Sequence, residues 1–507
     1  MIREIDQSIY IKNVNTFLYR FIFLNIIINF FLFLLSSEIL AVTIYILLEF
    51  YLFSNLKKFL KDSFSSFFAL LTQVLIIFLI NLTYLTFILT SLLNNFLFDI
   101  TLTEILSYDL YCDLNTYFLA NIYLLFFSLS LLLFNSFIPK ALIIIVSKKI
   151  NLLNFFFPRN KISILIILCI SFELYLFISG IAGTQRSGGF MLEGEDKSTW
   201  YTQLTYFINI FHVFLNILYL TRNNNNLTFF EKFFLLISII LSFISFGYYQ
   251  RRNIVIFFVI NFLLYFIMSN KKVFTFKNTF FYIVALIIVF QSFTYLGTIR
   301  KLNIIEKETS LIGTFNTGEM FSFFKDDNIK KYGATILQEN LRQRMMNNHE
   351  LATLFLYKGK KNDNYLYGKY LLYSFIQVVP AVLIKNKKNY IPGDALIGTI
   401  TTSPLYERDT IDSIHSASYA DFGILGLIVY PIIINLLIFF TYKIIMIKKL
   451  LNLTALFIIT LYLPFFTIRI IESNLLGVFV IFRNIIIFTL FFNLLLSYIK
   501  QYDLNKN

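Results

Sequence analysis

Long apolar runs separated by short polar stretches dominate the sequence. A membrane-spanning helix needs about 20 mostly apolar residues. Twelve runs reach that length, at residues 17–36, 39–56, 67–93, 116–138, 161–180, 201–221, 229–247, 252–269, 278–297, 422–442, 450–468 and 475–499. The pattern predicts an all-α transmembrane bundle, with spans one to nine in residues 1–297 and spans ten to twelve, followed by a tail, in residues 422–507.

Composition supports a polytopic membrane protein. Hydrophobic residues make up 58% of the chain and charged residues 14%, whereas soluble domains contain about 45–50% apolar residues. The net charge of +14 does not indicate nucleic acid, because the basic residues follow the loops of the membrane topology. The two cysteines, Cys112 and Cys169, are too few and too scattered for a metal site or a disulfide framework.

The distribution of basic residues predicts the sides of the loops. Loops rich in lysine and arginine tend to lie on the cytoplasmic side of a membrane. The basic stretches fall in alternate connections, which are Arg3 and Lys12, Lys57–Lys61, Lys140–Lys161, Arg222–Lys232, Lys271–Lys277, Lys443–Lys449, and the tail with Lys500 and Lys506. Both termini are therefore expected to be cytoplasmic.

One long segment, residues 298–421, separates spans nine and ten and is expected to fold as a cap on the outer face. Its stretch Tyr370–Ile384 is apolar, but it is short and Pro380 interrupts it. A span there would move every later basic loop to the outer side. We therefore interpret it as a re-entrant or interfacial helix.

Arginine is concentrated on the outer side of this topology. Four arginines, Arg251, Arg252, Arg300 and Arg469, lie within a few residues of the outer ends of spans, Arg342 and Arg344 lie in the cap, and Arg483 falls inside the last apolar run. The guanidinium group presents a planar fork that matches phosphate oxygens. One such arginine alone is explained by snorkelling to lipid headgroups or by pairing with an acid. The set predicts a shared site for an anion, and the natural outer-leaflet anion with two phosphates is a polyprenyl diphosphate.

Three histidines are present. His212, inside span six, is expected to be a packed or hydrogen-bonded core residue, and His349 to be a polar position on a cap helix. His415, in the segment DSIHSASYADFGILG that leads into span ten, is a candidate catalytic base, because imidazole titrates near neutral pH. Asp412 and Asp421 of the same segment are alternative bases.

Adjacent acids at Asp326–Asp327 offer a competing, metal-dependent chemistry. Neighbouring aspartates on a loop are more often solvated, and arginines can neutralise a leaving diphosphate without a metal. We therefore expect a site that needs no metal and no cofactor.

Three stretches together resemble the bacterial O-antigen polymerase family, the Wzy-type oligosaccharide repeat-unit polymerases. They are QRRNIVIFF, the cap segment GKYLLYSFIQVVPAVLIKNKKNY, and ASYADFGILG with Phe422, Gly423 and Gly426. Ala381 departs from the pattern, since relatives often carry arginine after the proline. The resemblance implies a GT-C-like fold in the bacterial inner membrane with its active site facing the periplasm.

The activity that this resemblance implies is polymerisation of undecaprenyl-diphosphate-linked oligosaccharides, which serve as both donor and acceptor, with a chain-length regulator as a possible protein partner. Arg251, Arg252, Arg300 and Arg469 would hold the leaving diphosphate, Arg342 and Arg344 would close over a substrate, and His415 would act as the base. Tyrosines of the cap would stack on sugars. An O-antigen ligase is the first alternative. A polysaccharide flippase is the second, although a flippase normally lacks a cap of this size and shows two related halves.

Overall fold

A computed structural model describes residues 2–59, 70–98, 112–143, 159–178, 208–209, 211–216, 219, 228–249, 348, 351–356, 365–379, 383–384, 387, 413–446, 475–480, 482–484 and 486–487. These residues form helices and short turns, without a strand. The chain divides into two compact units, one comprising Met1–Leu153 and Asn340–Asn507 and the other Asn154–Glu339.

The first unit contains seven of the helices. They are α1 (Ile2–Leu35), α2 (Glu38–Phe59), α3 (Leu71–Phe98), α4 (Leu114–Asn135), and then, after the second unit, α7 (Lys369–Val378), α8 (Ile414–Phe422) and α9 (Gly426–Met446). A 3₁₀ turn, Gly423–Leu425, joins α8 to α9. The second unit contributes α5 (Arg159–Ile178) and α6 (Phe229–Tyr249), which pack on each other.

Five apolar stretches of the described chain are long enough to cross a membrane. They are Ser8–Leu35, Glu38–Asn55, Leu71–Leu92, Leu114–Asn135 and Ile414–Ile444, and each overlaps a predicted span. The all-helical prediction is confirmed for the described residues. The count of twelve and the cytoplasmic termini stay predictions, and the apolar runs at 252–269, 278–297 and 450–468 lie outside the described residues.

Helix α4 is the centre of the first unit, where it packs against α1, α3, α8 and α9. A layer of buried polar side chains links it to the first helices. The Tyr45 hydroxyl of α2 donates to Asn29 Oδ1 of α1 at 2.6 Å, and Asn121 Nδ2 of α4 donates to the same tyrosine at 2.9 Å. The Tyr84 hydroxyl of α3 donates to Asn25 Oδ1 at 2.7 Å. Such hydrogen bonds between apolar helices fix their register, because an unpaired polar group is costly there.

The outer surface of α9 carries apolar residues at every fourth position. These exposed side chains are Ile428, Ile432, Leu436 and Phe440, in line with Ile424 of the preceding 3₁₀ turn, whereas Tyr430, Ile434, Ile438 and Tyr442 are buried. The helix is thus apolar on both faces, as expected for a helix with one side against protein and the other against lipid.

Candidate functional site

Helix α8 begins at a serine cap beside the candidate base. Ser413 is the N-cap residue, and its Oγ accepts from the backbone nitrogen of Ser416 at 3.3 Å. Serine at this position satisfies a backbone N–H that the first turn of a helix leaves unpaired. The same Oγ lies 3.3 Å from Nε2 of His415, so the cap also contacts the imidazole.

His415 lies in the first turn of α8 and is only 1% exposed. The sequence predicted a residue at the membrane edge facing substrate, whereas this structure holds it inside protein contacts. Its carbonyl accepts from the Ser418 hydroxyl at 2.7 Å. Ser418 Oγ in turn lies 3.0 Å from the Tyr123 hydroxyl of α4, which donates to the Gly423 carbonyl at 3.1 Å.

Two glycines follow α8, and neighbouring atoms lie too close to each of them to leave room for a side chain. Gly423 has φ +59°, and a Cβ there would lie 2.3 Å from the ring of Tyr365. A Cβ on Gly426 would lie 2.2 Å from the Ser418 carbonyl oxygen, which is backbone and cannot swing away. The glycines of the FGILG stretch therefore permit the turn between α8 and α9.

Asp421, near the end of α8, caps the start of α7. Its carboxylate accepts from the backbone nitrogens of Tyr370 and Leu371 at 3.0 and 2.9 Å, and from the Tyr430 hydroxyl at 2.9 Å. The N-cap residue of α7 is Gly368, which has no side chain to do this. Asp421 is fully buried, with donors on both carboxylate oxygens. Three donors thus engage the carboxylate as a cap, and the alternative in which Asp421 serves as a base stays a prediction.

Two cations meet the other end of α7. Lys387 Nζ donates to the Gln377 carbonyl at 2.9 Å and to the Val379 carbonyl. Arg483 donates to the Val378 carbonyl at 3.3 Å and to Asn484 Oδ1 at 3.2 and 3.1 Å. Burial and the neighbouring charge of Arg483 lower the pKa of Lys387. Sequence reasoning missed Lys387, whose only signal was its place after an apolar run and a proline.

Aromatic rings line the contact between α8, α4 and the segments that precede α7. The rings of Phe355 and Tyr419 are 4.5 Å apart, and Tyr419 also meets Tyr123 at 5.5 Å and Tyr365 at 6.0 Å. All three pairs are edge-to-face, a favourable arrangement for aromatic rings. Phe355, Tyr365 and Tyr419 stay partly exposed, so they offer ring surface beside the His415 helix.

In the second unit, His212 is a hydrogen-bonded core residue, as predicted. Its Nδ1 lies 3.0 Å from both carboxylate oxygens of Glu173, and its Nε2 lies 2.8 Å from the Ser238 hydroxyl. Ser238 donates to Asn216 Oδ1. All four residues are buried. The order of carboxylate, imidazole and serine is that of a nucleophilic triad.

The remaining predicted site residues lie outside the described residues. They are Arg251, Arg252, Arg300, Arg342, Arg344 and Arg469, together with His349, Asp412 and the acidic pair Asp326–Asp327. Within the described part of the chain, no group of three or more His, Cys, Asp or Glu side chains is placed to hold a metal ion.

No protein-family model matches the chain, and neither a curated protein nor a solved structure matches it.

Proposed function

We propose that this protein is a membrane glycosyltransferase that polymerises lipid-diphosphate-linked oligosaccharides on the outer face of the bacterial inner membrane. Undecaprenyl diphosphate is the carrier that the resemblance to O-antigen polymerases implies. The single observation that carries the proposal is the convergence of Lys387 and Arg483 at the end of α7.

The two cations carry more charge than the helix end that they contact. A helix C-terminus carries the equivalent of about −0.5 elementary charge, and two cations together supply a nominal +2. A guanidinium and an ammonium that contact the same helix end are the kind of donor set that binds phosphate oxygens. Diphosphate is an anion that suits this donor set.

Helix α7 links the cations at its C-terminal end to the helix of the candidate base, through the hydrogen bonds that Asp421 makes at its N-terminal end. Asp421 and His415 belong to the same nine-residue helix, and Asp421 holds the first turn of α7. The cations stand at the last turn of α7. Short, capped helices of this kind position side chains more firmly than loops do.

The proposed reaction transfers a growing sugar chain to an incoming lipid-linked repeat unit. A hydroxyl of the incoming unit attacks the anomeric carbon of the growing chain, and the bond from that carbon to the diphosphate oxygen breaks with its electron pair on the diphosphate. His415 accepts the hydroxyl proton, while Lys387 and Arg483, with Arg251, Arg252, Arg300 and Arg469, neutralise the departing diphosphate. Arg342 and Arg344 close over substrate, and Tyr365 and Tyr419 stack on sugar rings. His415 is buried, so this step requires its neighbours to move when substrate binds.

The test is polymer formation by purified protein in liposomes, supplied with a synthetic lipid-diphosphate-linked repeat unit and followed on a gel. Arg483→Lys keeps a charge but loses the fork, and Lys387→Ala removes a charge. Each is expected to lower the rate by roughly 10²-fold, the loss typical of removing one transition-state donor. His415→Ala is expected to abolish polymer, and EDTA is expected to leave the wild type active.

The matched controls are Lys369→Ala, an exposed lysine at the opposite end of α7, and His349→Ala. Both are expected to keep wild-type rates. If Arg483→Lys and Lys387→Ala were as active as wild type, the cations would be helix caps only. Transfer to lipid A core sugar without polymer would indicate a ligase, and movement of the lipid-linked unit across the bilayer without either product would indicate a flippase.

A further inference from the structure

Helix α7 has an apolar face that stays largely exposed among the described residues, although the ring of Phe479 contacts Phe375 edge-on at a centroid distance of 6.1 Å. Its buried side chains are Tyr370, Ser374, Ile376 and Val378. The opposite stripe carries Lys369, Leu372 and Phe375, with Leu372 and Phe375 more than half exposed. The flanking Tyr367 and Leu383 are also exposed. Both faces of this ten-residue helix are therefore largely apolar, one against protein and the other exposed.

The depth of the start of α7 can be measured along α4, from Leu114 at its N-terminus. Tyr123 is nine residues past Leu114, and its hydroxyl meets Ser418 and Gly423 on either side of Asp421. Nine residues correspond to about 13 Å of helical rise, and side chains lean toward the N-terminus of their helix. Asp421 caps the first turn of α7. That turn therefore lies on the order of 5–10 Å below Leu114, the residue at which α4 begins, when depth is measured along the axis of α4.

The other end of α7 lies at a similar depth. Arg483, which donates to the Val378 carbonyl, is eight residues past Leu475, the first residue of an apolar helix. That is about 12 Å of helical rise, and the long side chain reaches back by several ångströms. The predicted topology places Leu114 and Leu475 at the same outer face.

We propose that α7 lies in the plane of the membrane, in the interfacial region of the outer leaflet, with Leu372 and Phe375 in contact with lipid acyl chains. An in-plane amphipathic helix typically buries its apolar face about 5–10 Å into that region, which agrees with the depth of both ends of α7. The exposed apolar stripe from Ile424 to Phe440 begins directly after α8, the helix whose Asp421 caps α7. Lys369 at the edge of the stripe reaches the headgroups by snorkelling.

This placement does not depend on the proposed reaction. It has a consequence for that reaction, because it sets Lys387 and Arg483 in the interfacial region of the outer leaflet, within reach of a lipid-linked diphosphate. A lipid-linked diphosphate would then reach the cations by lateral diffusion within the leaflet.

Tryptophan fluorescence tests the proposal directly, since the chain has one tryptophan, Trp200. In a Trp200→Phe background, Leu372→Trp and Phe375→Trp are reconstituted separately in liposomes. We expect lipids brominated on their acyl chains to quench both tryptophans and aqueous iodide to quench neither. Ile432→Trp on the exposed stripe of α9 and Lys361→Trp in the cap are the lipid and water controls.

Strong quenching by iodide together with no effect of brominated lipids, at both positions, would overturn the proposal. If either tryptophan variant fails to fold, a spin label on Leu372→Cys gives the same answer by electron paramagnetic resonance. The label should then be accessible to oxygen and protected from a water-soluble nickel chelate, and the reverse order would exclude contact with lipid.

Discussion

At the scale of single residues, the hydrogen bonds around His212 have a defined direction. Ser242 donates to the Ile239 carbonyl at 2.9 Å, so its oxygen accepts from Asn216 Nδ2 at 3.5 Å. Asn216 Oδ1 must then accept the hydrogen of Ser238. Consequently, Ser238 Oγ accepts from Nε2 of His212, and that nitrogen carries a hydrogen. A nitrogen that already carries a proton cannot take one from Ser238, so His212 does not activate this serine as a nucleophile. Glu173, His212, Ser238 and Asn216 instead form a buried hydrogen-bonded cluster, the polar clamp.

The first prediction follows from this clamp. Replacing His212 by leucine leaves the buried Glu173 carboxylate without its partner, and we expect a loss of about 3–5 kcal/mol in the free energy of unfolding. Glu173→Leu should also destabilise. The double variant should lose clearly less than the sum, because neither buried polar group is then left without its partner. Thermal unfolding of the purified protein in detergent measures all three.

Glu231→Leu is the control for this cycle. Glu231 accepts from the backbone nitrogen of Thr228 at 2.8 Å in a capping box at the start of α6, and its loss should cost about 1 kcal/mol. Additive effects of His212→Leu and Glu173→Leu would mean that the two residues do not act as a pair.

At the scale of elements, α7 depends on groups supplied by other helices. An isolated helix of ten residues is marginal in water, because nucleation costs more than a few hydrogen bonds return. Asp421 complements the positive N-terminus of its dipole, and Lys387 and Arg483 complement the negative C-terminus. Its local stability is therefore a property of contacts between distant parts of the chain.

The second prediction concerns this cap. Asp421→Ala removes the acceptor for the amides of Tyr370 and Leu371, and hydrogen bonds to a charged group contribute about 1.5–3 kcal/mol. Hydrogen–deuterium exchange at those amides should therefore accelerate by roughly 10- to 100-fold, since each 1.4 kcal/mol is a factor of ten. Asp421→Asn, which keeps one oxygen, should have a smaller effect.

Asp113→Ala provides the comparison. Asp113 caps α4 by accepting from the Thr116 nitrogen at 2.6 Å, so its replacement should accelerate exchange at the start of α4 and leave α7 unchanged. Unaltered exchange of Tyr370 and Leu371 in Asp421→Ala would show that α7 is held by packing alone.

At the scale of the whole molecule, polar contacts define the two ends of the first four helices. Ser36 donates to Asn115 Oδ1 and Ser91 donates to Glu38, which places the α1–α2 connection beside the end of α3 and the start of α4. At the other end, Gln73 donates to Asn15 at 2.7 Å. The four helices therefore alternate in direction, as consecutive membrane spans with short connections must.

The third prediction assigns sides to these ends. Because basic loops stay in the cytoplasm, single cysteines near Lys149 and Lys272 should react with a membrane-impermeant maleimide only after the cells are permeabilised. A cysteine near Lys361 should react in intact spheroplasts. Reversed labelling of Lys361 would place the cap, with Arg342 and Arg344, in the cytoplasm and would remove the case for an outer active site.

Some features of the site were visible in the sequence, and others could not be. The glycines at 423 and 426 stood out as a pattern, and the structure gives the reason in the Tyr365 ring and the Ser418 carbonyl. His212 was correctly expected to be hydrogen-bonded, because a histidine in the middle of an apolar run needs a partner. The partner itself, Glu173, is 39 residues away and carried no sequence signal. The burial of the serines of α8 and of Asp421 also carried no signal in the sequence, where the segment leads from the cap into span ten.

The sequence by itself determined the helical membrane class, because hydrophobicity is a local property and about 20 consecutive apolar residues suffice to state it. Only the tertiary structure decided that Asp421 is a cap and that Lys387 and Arg483 share one helix end, since Asp421 is about 50 positions from the amides that it binds and Arg483 is 105 from its carbonyl. Buried polar groups take whichever partner the packing of apolar helices brings within hydrogen-bond distance, and that choice depends on the whole fold.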